Sequence, residues 1–151
     1  LNQDQWLDTA GLAANGDIWE CLAGAPACTK IPGQLQTLQI ADVDHDTIDD
    51  LIGQMGTGVF VFLSSSPQWH LLGYLDQVVI GRWYGDGFDY MAGILQGYVY
   101  QDIGLGQWQF ANGFLQTIGV ADVGDRDILL GWNGCWYYEL SFQQWTQGQC
   151  G

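Results

Sequence analysis

The chain has 151 residues, of which 48% are hydrophobic, enough to build one ordinary domain with a core rather than a disordered acidic tail. Seventeen acids face only Lys30, Arg82 and Arg126, for a formal charge of −14. A chain so poor in cations cannot neutralise phosphates, so nucleic acid is not expected as a partner, anionic membranes are poor ones, and no membrane insertion is expected because no apolar run is long enough for a membrane-spanning helix.

The first segment, residues 1–35, reads as a degenerate copy of a unit repeated along the rest of the chain. Its Asn15-Gly16-Asp17-Ile18-Trp19 matches Asn133-Gly134-Cys135-Trp136-Tyr137 in pattern, and Gln5-Trp6 is either a displaced Gln-Trp pair or part of a first strand. Three clearer copies occupy 36–73, 76–113 and 116–148. Ile40, Ile80 and Val120 stand forty residues apart, and each copy closes on a Gln-Trp pair ending in Trp69, Trp108 or Trp145.

Within a copy the order is constant. A β run such as Leu38–Val43 enters an acidic loop, and a short apolar run comes next at 51–53, 91–93 or 128–131. A Gly-containing turn leads to an aromatic or β-branched strand at 59–63, 98–101 or 135–140, and the Gln-Trp strand closes the unit. No stretch keeps a 3.6-residue apolar period with caps, so helices should be few. The chain is therefore expected to be all-β: one repeat domain over 1–151, a small β-propeller-like fold of about four blades at 1–35, 36–73, 74–113 and 114–151. The alternative is a β-trefoil, which also has about three repeats of this length; only Gln143-Gln144-Trp145 fits its Q-x-W spacing.

One loop carries a sharp chemical pattern. Asp42, Asp44, Asp46 and Asp50 alternate along Asp42–Asp50, and such side chains converge on one side of a tight turn. Their repulsion calls for a hard divalent cation, with Ca2+ taking oxygens from Asp42, Asp44, Asp46, Asp50 and the Ile48 carbonyl. Asp49 is expected to point away, and His45 to be an exposed loop residue. The stretch ADVDHDTIDDLIG, residues 41–53, resembles the repeat of FG-GAP and VCBS proteins, the blades of integrin-α-like β-propellers. The resemblance implies that the D-x-D-x-D loop joins the first two strands of a blade and binds calcium. It weakens in the second copy, where Arg82 and Tyr84 replace the first two acids and Asp86 and Asp89 remain, and in the last copy, where the loop shortens to Asp122–Asp127. One metal site is therefore expected, with Arg82 pairing to Asp86 or Asp89 in the cation's place.

The recurring tryptophans are expected to pack between copies, and Trp83 to be core. Met55, Leu95 and Trp132 precede the turn glycines, where burial is not required, and could form a binding patch with Tyr84. Aromatic faces with Asp and Gln nearby suit carbohydrate. Cys21, Cys28, Cys135 and Cys150 are expected to form two disulfides, locally paired as the first choice, with a Cys21–Cys150 staple as the alternative. The chain begins at Leu1, as a mature secreted chain or a trimmed one would. No nucleophile elbow, zinc-protease motif or phosphate loop is present, so no catalytic residue is assigned. The expected function is a secreted (extracellular or periplasmic), calcium-stabilised module that recognises carbohydrate. The alternatives are a protein-adhesion or self-assembly module binding an extracellular protein surface, with a homo-oligomer completing an open ring, and a small polysaccharide hydrolase.

Overall fold

The computed structural model describes residues 8–139 and 145–150, so Gln5-Trp6 and the Gln143-Gln144 pair lie outside the described residues. The protein is all-β; no helix occurs among the described residues. Its strands form four antiparallel sheets in which neighbours in sequence are neighbours in space. The first sheet contains β1 (Thr9–Leu12), β2 (Asp17–Cys21) and β3 (Thr29–Gln34). The second contains β4 (Thr37–Ala41), β5 (Asp50–Met55), β6 (Gly58–Phe62) and β7 (Trp69–Tyr74). The third contains β8 (Gln77–Gly81), β9 (Tyr90–Leu95), β10 (Tyr98–Asp102) and β11 (Trp108–Phe114), and the fourth β12 (Thr117–Asp122), β13 (Asp127–Trp132), β14 (Cys135–Glu139) and β15 (Trp145–Cys150). Four meanders thus match the repeat, with the acidic loop between the first and second strands of each four-stranded sheet.

The chain divides into two compact units, Leu1–Gly73 and Tyr74–Gly151. In the first, β1 lies beside β4, and Ile18, Ile31, Leu35 and Leu51 form a core flanked by Phe60, Phe62 and Trp69. In the second, β8 lies beside β12, and Val99, Ala111, Ile118 and Leu129 pack with Trp83, which is 3% exposed and wholly core. Gln77 joins these two first strands: its amide donates to the Ile118 carbonyl at 2.6 Å and accepts the Ile118 N–H at 3.1 Å. A side chain here continues the ladder pattern where no backbone pair exists.

Two repeated docks shape the packing within each unit. Leu35, Leu75 and Leu115, forty residues apart and all buried, each lie over a glycine in the second strand of the following sheet: Gly53, Gly93 and Gly131. A Cβ at Gly93 would stand 2.7 Å from the Gln77 carbonyl oxygen and overlap the Leu75 methyl. Burying such a Leu contributes about 2 kcal/mol. The second dock uses the recurring tryptophan. Trp69 donates its indole N–H to the Pro32 carbonyl at 2.7 Å, over Gly33, and Trp145 donates to Ala111 at 3.1 Å, over Gly113. Each ring thereby fastens the last strand of one sheet to the last strand of the sheet before it.

The disulfides are Cys21–Cys28 and Cys135–Cys150, the local pairing; the Cys21–Cys150 staple does not form. Cys21–Cys28 closes the connection between β2 and β3, whose turn is held by the Ala25 N–H donating to Leu22. Cys135–Cys150 ties β14 to β15 at their paired ends.

Gly93→Ala should destabilise the protein by about 2 kcal/mol through overpacking, whereas Gly119→Ala, with no atom within 4 Å of the added methyl, should change little. Denaturant melts of the two variants check this. Replacing Cys135 and Cys150 together by Ser should cost about 3 kcal/mol, the loop-closure value for their separation of 15 residues.

Candidate functional site

The loop from β4 to β5 is shaped by its own aspartates. The Asp42 carboxylate accepts the N–H groups of Asp46 at 3.0 Å and Thr47 at 2.9 Å, Asp44 accepts that of Asp46 at 3.1 Å, and Asp46 accepts that of Ile48 at 2.8 Å. Short carboxylates bonding the backbone two to five residues on is what makes Asp suit such turns. The bonds hold His45 and Thr47 at φ of 61° and 75°, a region costly for a β-branched residue such as Thr47.

Asp42, Asp44 and Asp50 each bring a carboxylate oxygen within 4.8 Å of the other two. Asp50, the first residue of β5, is 1% exposed and accepts N–H groups from Val43 at 3.3 Å and Ser64 at 2.8 Å. Burial pushes its carboxyl above the usual carboxylate range; the Ser64 N–H opposes this, and the negative charge of Asp44 adds to it. The Ser65 hydroxyl donates to Asp44 at 3.1 Å. Asp46 contributes to the turn rather than to the three-carboxylate cluster. His45 is exposed, and Asp49 is exposed too, lining a separate small cleft with Glu20, Phe62 and Ser64. Ser64 and Ser65 carried no sequence signal: they lie more than a dozen residues from the aspartates they serve and meet them only because β6 pairs with β5.

The second copy fills the same place differently. Arg82 Nε lies 3.1 Å from Asp89, while its backbone N–H donates to the Asp127 carboxylate at 2.8 Å. Asp86 accepts the Phe88 N–H at 3.1 Å and the Tyr90 hydroxyl at 2.6 Å. Tyr84 stands edge-on to Tyr90 with ring centres 4.8 Å apart, and its hydroxyl meets the Gln101 amide. An ion pair, an aromatic pair and hydrogen bonds thus order this loop. In the fourth sheet the short loop is tied by the Val123 N–H to the Arg126 carbonyl and by Asp122 accepting from Gly124.

Met55, Leu95 and Trp132 end the second strands β5, β9 and β13 at equivalent positions. Met55 is 41% exposed, whereas Leu95 and Trp132 are half-buried. Tyr84 lies in the loop at the start of β9 and Leu95 at its end, so the third sheet holds them at opposite ends. The immediate neighbours of Leu95 and Trp132, namely Ile94, Gln96 and Asn133, line one cleft with Phe114 and Gln116. Phe114 and Gln116 escaped the sequence reading because the apolar residue before each turn glycine is the more conspicuous pattern. The signal was present in the repeat, since Phe114 matches exposed Tyr74 at forty residues' distance.

Tyr90 gives this region a pH signature. Burial first, and then its bond to Asp86, push its phenol from 10.0 up to about 12. Because the folded-state value is raised, the unfolded chain loses this proton first, and stability should fall as pH rises between 10 and about 12. In Tyr90→Phe that fall should be shallower than in the wild type, as measured by urea melts across the interval.

The chain matches no known family model and no characterised protein.

Proposed function

We propose that the chain is a secreted, calcium-stabilised recognition module with propeller-type blades of the FG-GAP/VCBS kind, whose ligand class is carbohydrate. The observation that carries the metal assignment is the convergence of Asp42, Asp44 and Asp50 within 4.8 Å, one of them fully buried. Three carboxylates so placed repel one another; the Asp50 pKa is raised by burial first and then by the charge of Asp44. All the available donors are hard oxygens, which fits calcium better than a transition metal. When bound, the cation supplies the positive charge that lets the three carboxylates stay ionised together. Asp42, Asp44 and Asp50 would hold it, with Asp46 and the Ile48 carbonyl the nearest further oxygens along the loop.

Two features support the blade reading: the four antiparallel meanders, and the Leu-on-Gly and Trp-on-Gly docks that recur between sheets within each unit. Two disulfides, with no free cysteine among the described residues, support a non-reducing, extracellular-type compartment. A chain with 17 acids, three cations and exposed aromatic side chains favours neutral ligands bearing hydroxyl groups over anionic ones.

Calcium at a hundred times its dissociation constant should stabilise the fold by about 2.7 kcal/mol and raise the melting temperature by several degrees. Asp44→Ala should remove most of that shift, and Asp49→Ala should leave it nearly intact. Scanning calorimetry with calcium and with chelator checks both; equal effects of the two substitutions, or no shift in the wild type, would exclude the ligand set.

A further inference from the structure

The turn end of the third sheet and the start of the fourth enclose an open cleft of about 510 Å³. It lies within the second unit, at the end of β9 away from the Arg82–Asp89 loop. Phe114, the last residue of β11, is 58% exposed and forms its aromatic wall. The ring lies over the β9–β10 turn, where a Cβ at Gly97 would stand 2.7 Å from it, and Gly97 adopts φ of 85°. Asn133 holds the strand end behind the ring by donating to the Phe114 carbonyl at 3.1 Å. The aromatic surface continues outward: Tyr98 packs edge-on against Phe114 at 5.3 Å and against Phe110 at 6.0 Å, and these two are 47% and 48% exposed.

The polar lining is mostly amide. Gln96 and Gln116 are exposed on either side, and Asp76, the one carboxylate of the lining, also accepts the Gln96 N–H at 2.6 Å. None of Lys30, Arg82 and Arg126 lines the cleft, so a phosphate, sulfate or carboxylate would meet Asp76 with no counter-charge. An aromatic face takes the C–H side of a pyranose ring, while Gln amides and a carboxylate take its hydroxyls. We propose that this cleft seats a sugar ring of a neutral polysaccharide, with Phe114 as the stacking platform and Tyr98 and Phe110 extending the track. The proposal rests on the carbohydrate reading of the chain and gives it a location.

The test is affinity electrophoresis of the whole chain through gels containing xylan, galactomannan, hydroxyethyl cellulose or glycol chitin. The wild type should be retarded by at least one of them. Phe114→Ala should weaken that retardation about tenfold, the usual loss on truncating a central aromatic contact. Gln116→Ala should weaken it severalfold, Phe114→Trp should preserve it, and Leu71→Ala, at an exposed position of the first unit, should leave it unchanged. Thermal melts establish that each variant is folded. Should Phe114→Ala not fold, the exposed Gln116→Ala carries the test alone. Retardation equal to wild type in both cleft variants would overturn the assignment of the cleft and leave carbohydrate recognition standing. A wild type retarded by none of the four would overturn both. Binding of a lysine-rich peptide instead, lost in Phe114→Ala and weakened by salt, would make the cleft a seat for cations and overturn the proposal.

Discussion

The absence of a side chain at a few glycines is the constraint on which the sheet packing depends. Gly53, Gly93 and Gly131 leave room for Leu35, Leu75 and Leu115 to lie flat on the second strand of the next sheet, and Gly33 and Gly113 leave room for an indole. A four-stranded sheet of five-residue strands has too little area to be stable alone, so close approach between neighbours decides whether a core exists at all. Trp69 and Trp145 add direction to that approach, because the indole N–H of each finds one carbonyl on the preceding sheet and so fixes register as well as distance. In the second unit the Gln77 amide does the same for the two first strands.

Much of this was legible in the repeat. The strand order, the position of the acidic loops and the core placement of Trp83 come from patterns spaced about forty residues apart, and the local cysteine pairing from the turns that each pair flanks. The glycine docks were not legible, because a glycine in a strand reads as a weak position until its partner is known. Arg82 was legible as a partner for Asp86 or Asp89, and Asp89 is the one it meets. The support for Asp50 and Asp44 from Ser64 and Ser65 was hidden, since strand pairing rather than spacing brings them there. The turn residues Leu95 and Trp132 pointed to the right end of the third and fourth sheets but not to Phe114. The forty-residue match of Phe114 with Tyr74 was there to be read, but the apolar residues before the turn glycines overshadowed it.

Charge is handled by the same economy. Lys30 lies 2.6 Å from Asp17, where it holds that carboxyl below its usual range, and Arg82 lies 3.1 Å from Asp89. The other acids at the loops are satisfied largely by backbone N–H groups, as at Asp42, Asp50, Asp86, Asp102 and Asp122. Aspartate is short enough to close these bonds within its own turn, which is why this chain uses it in preference to glutamate.

Each disulfide joins cysteines that are nearest neighbours along the chain and belong to the same repeat. Of the three ways to pair four cysteines, the native one has the shortest loops and the least entropy to lose on closure. Cys21 and Cys28, seven residues apart, can pair with each other without waiting for the later part of the chain to fold. Correct oxidation therefore demands little from a disulfide isomerase. Because no link crosses from one repeat to another, a copy can be gained or lost during evolution without leaving an orphan thiol.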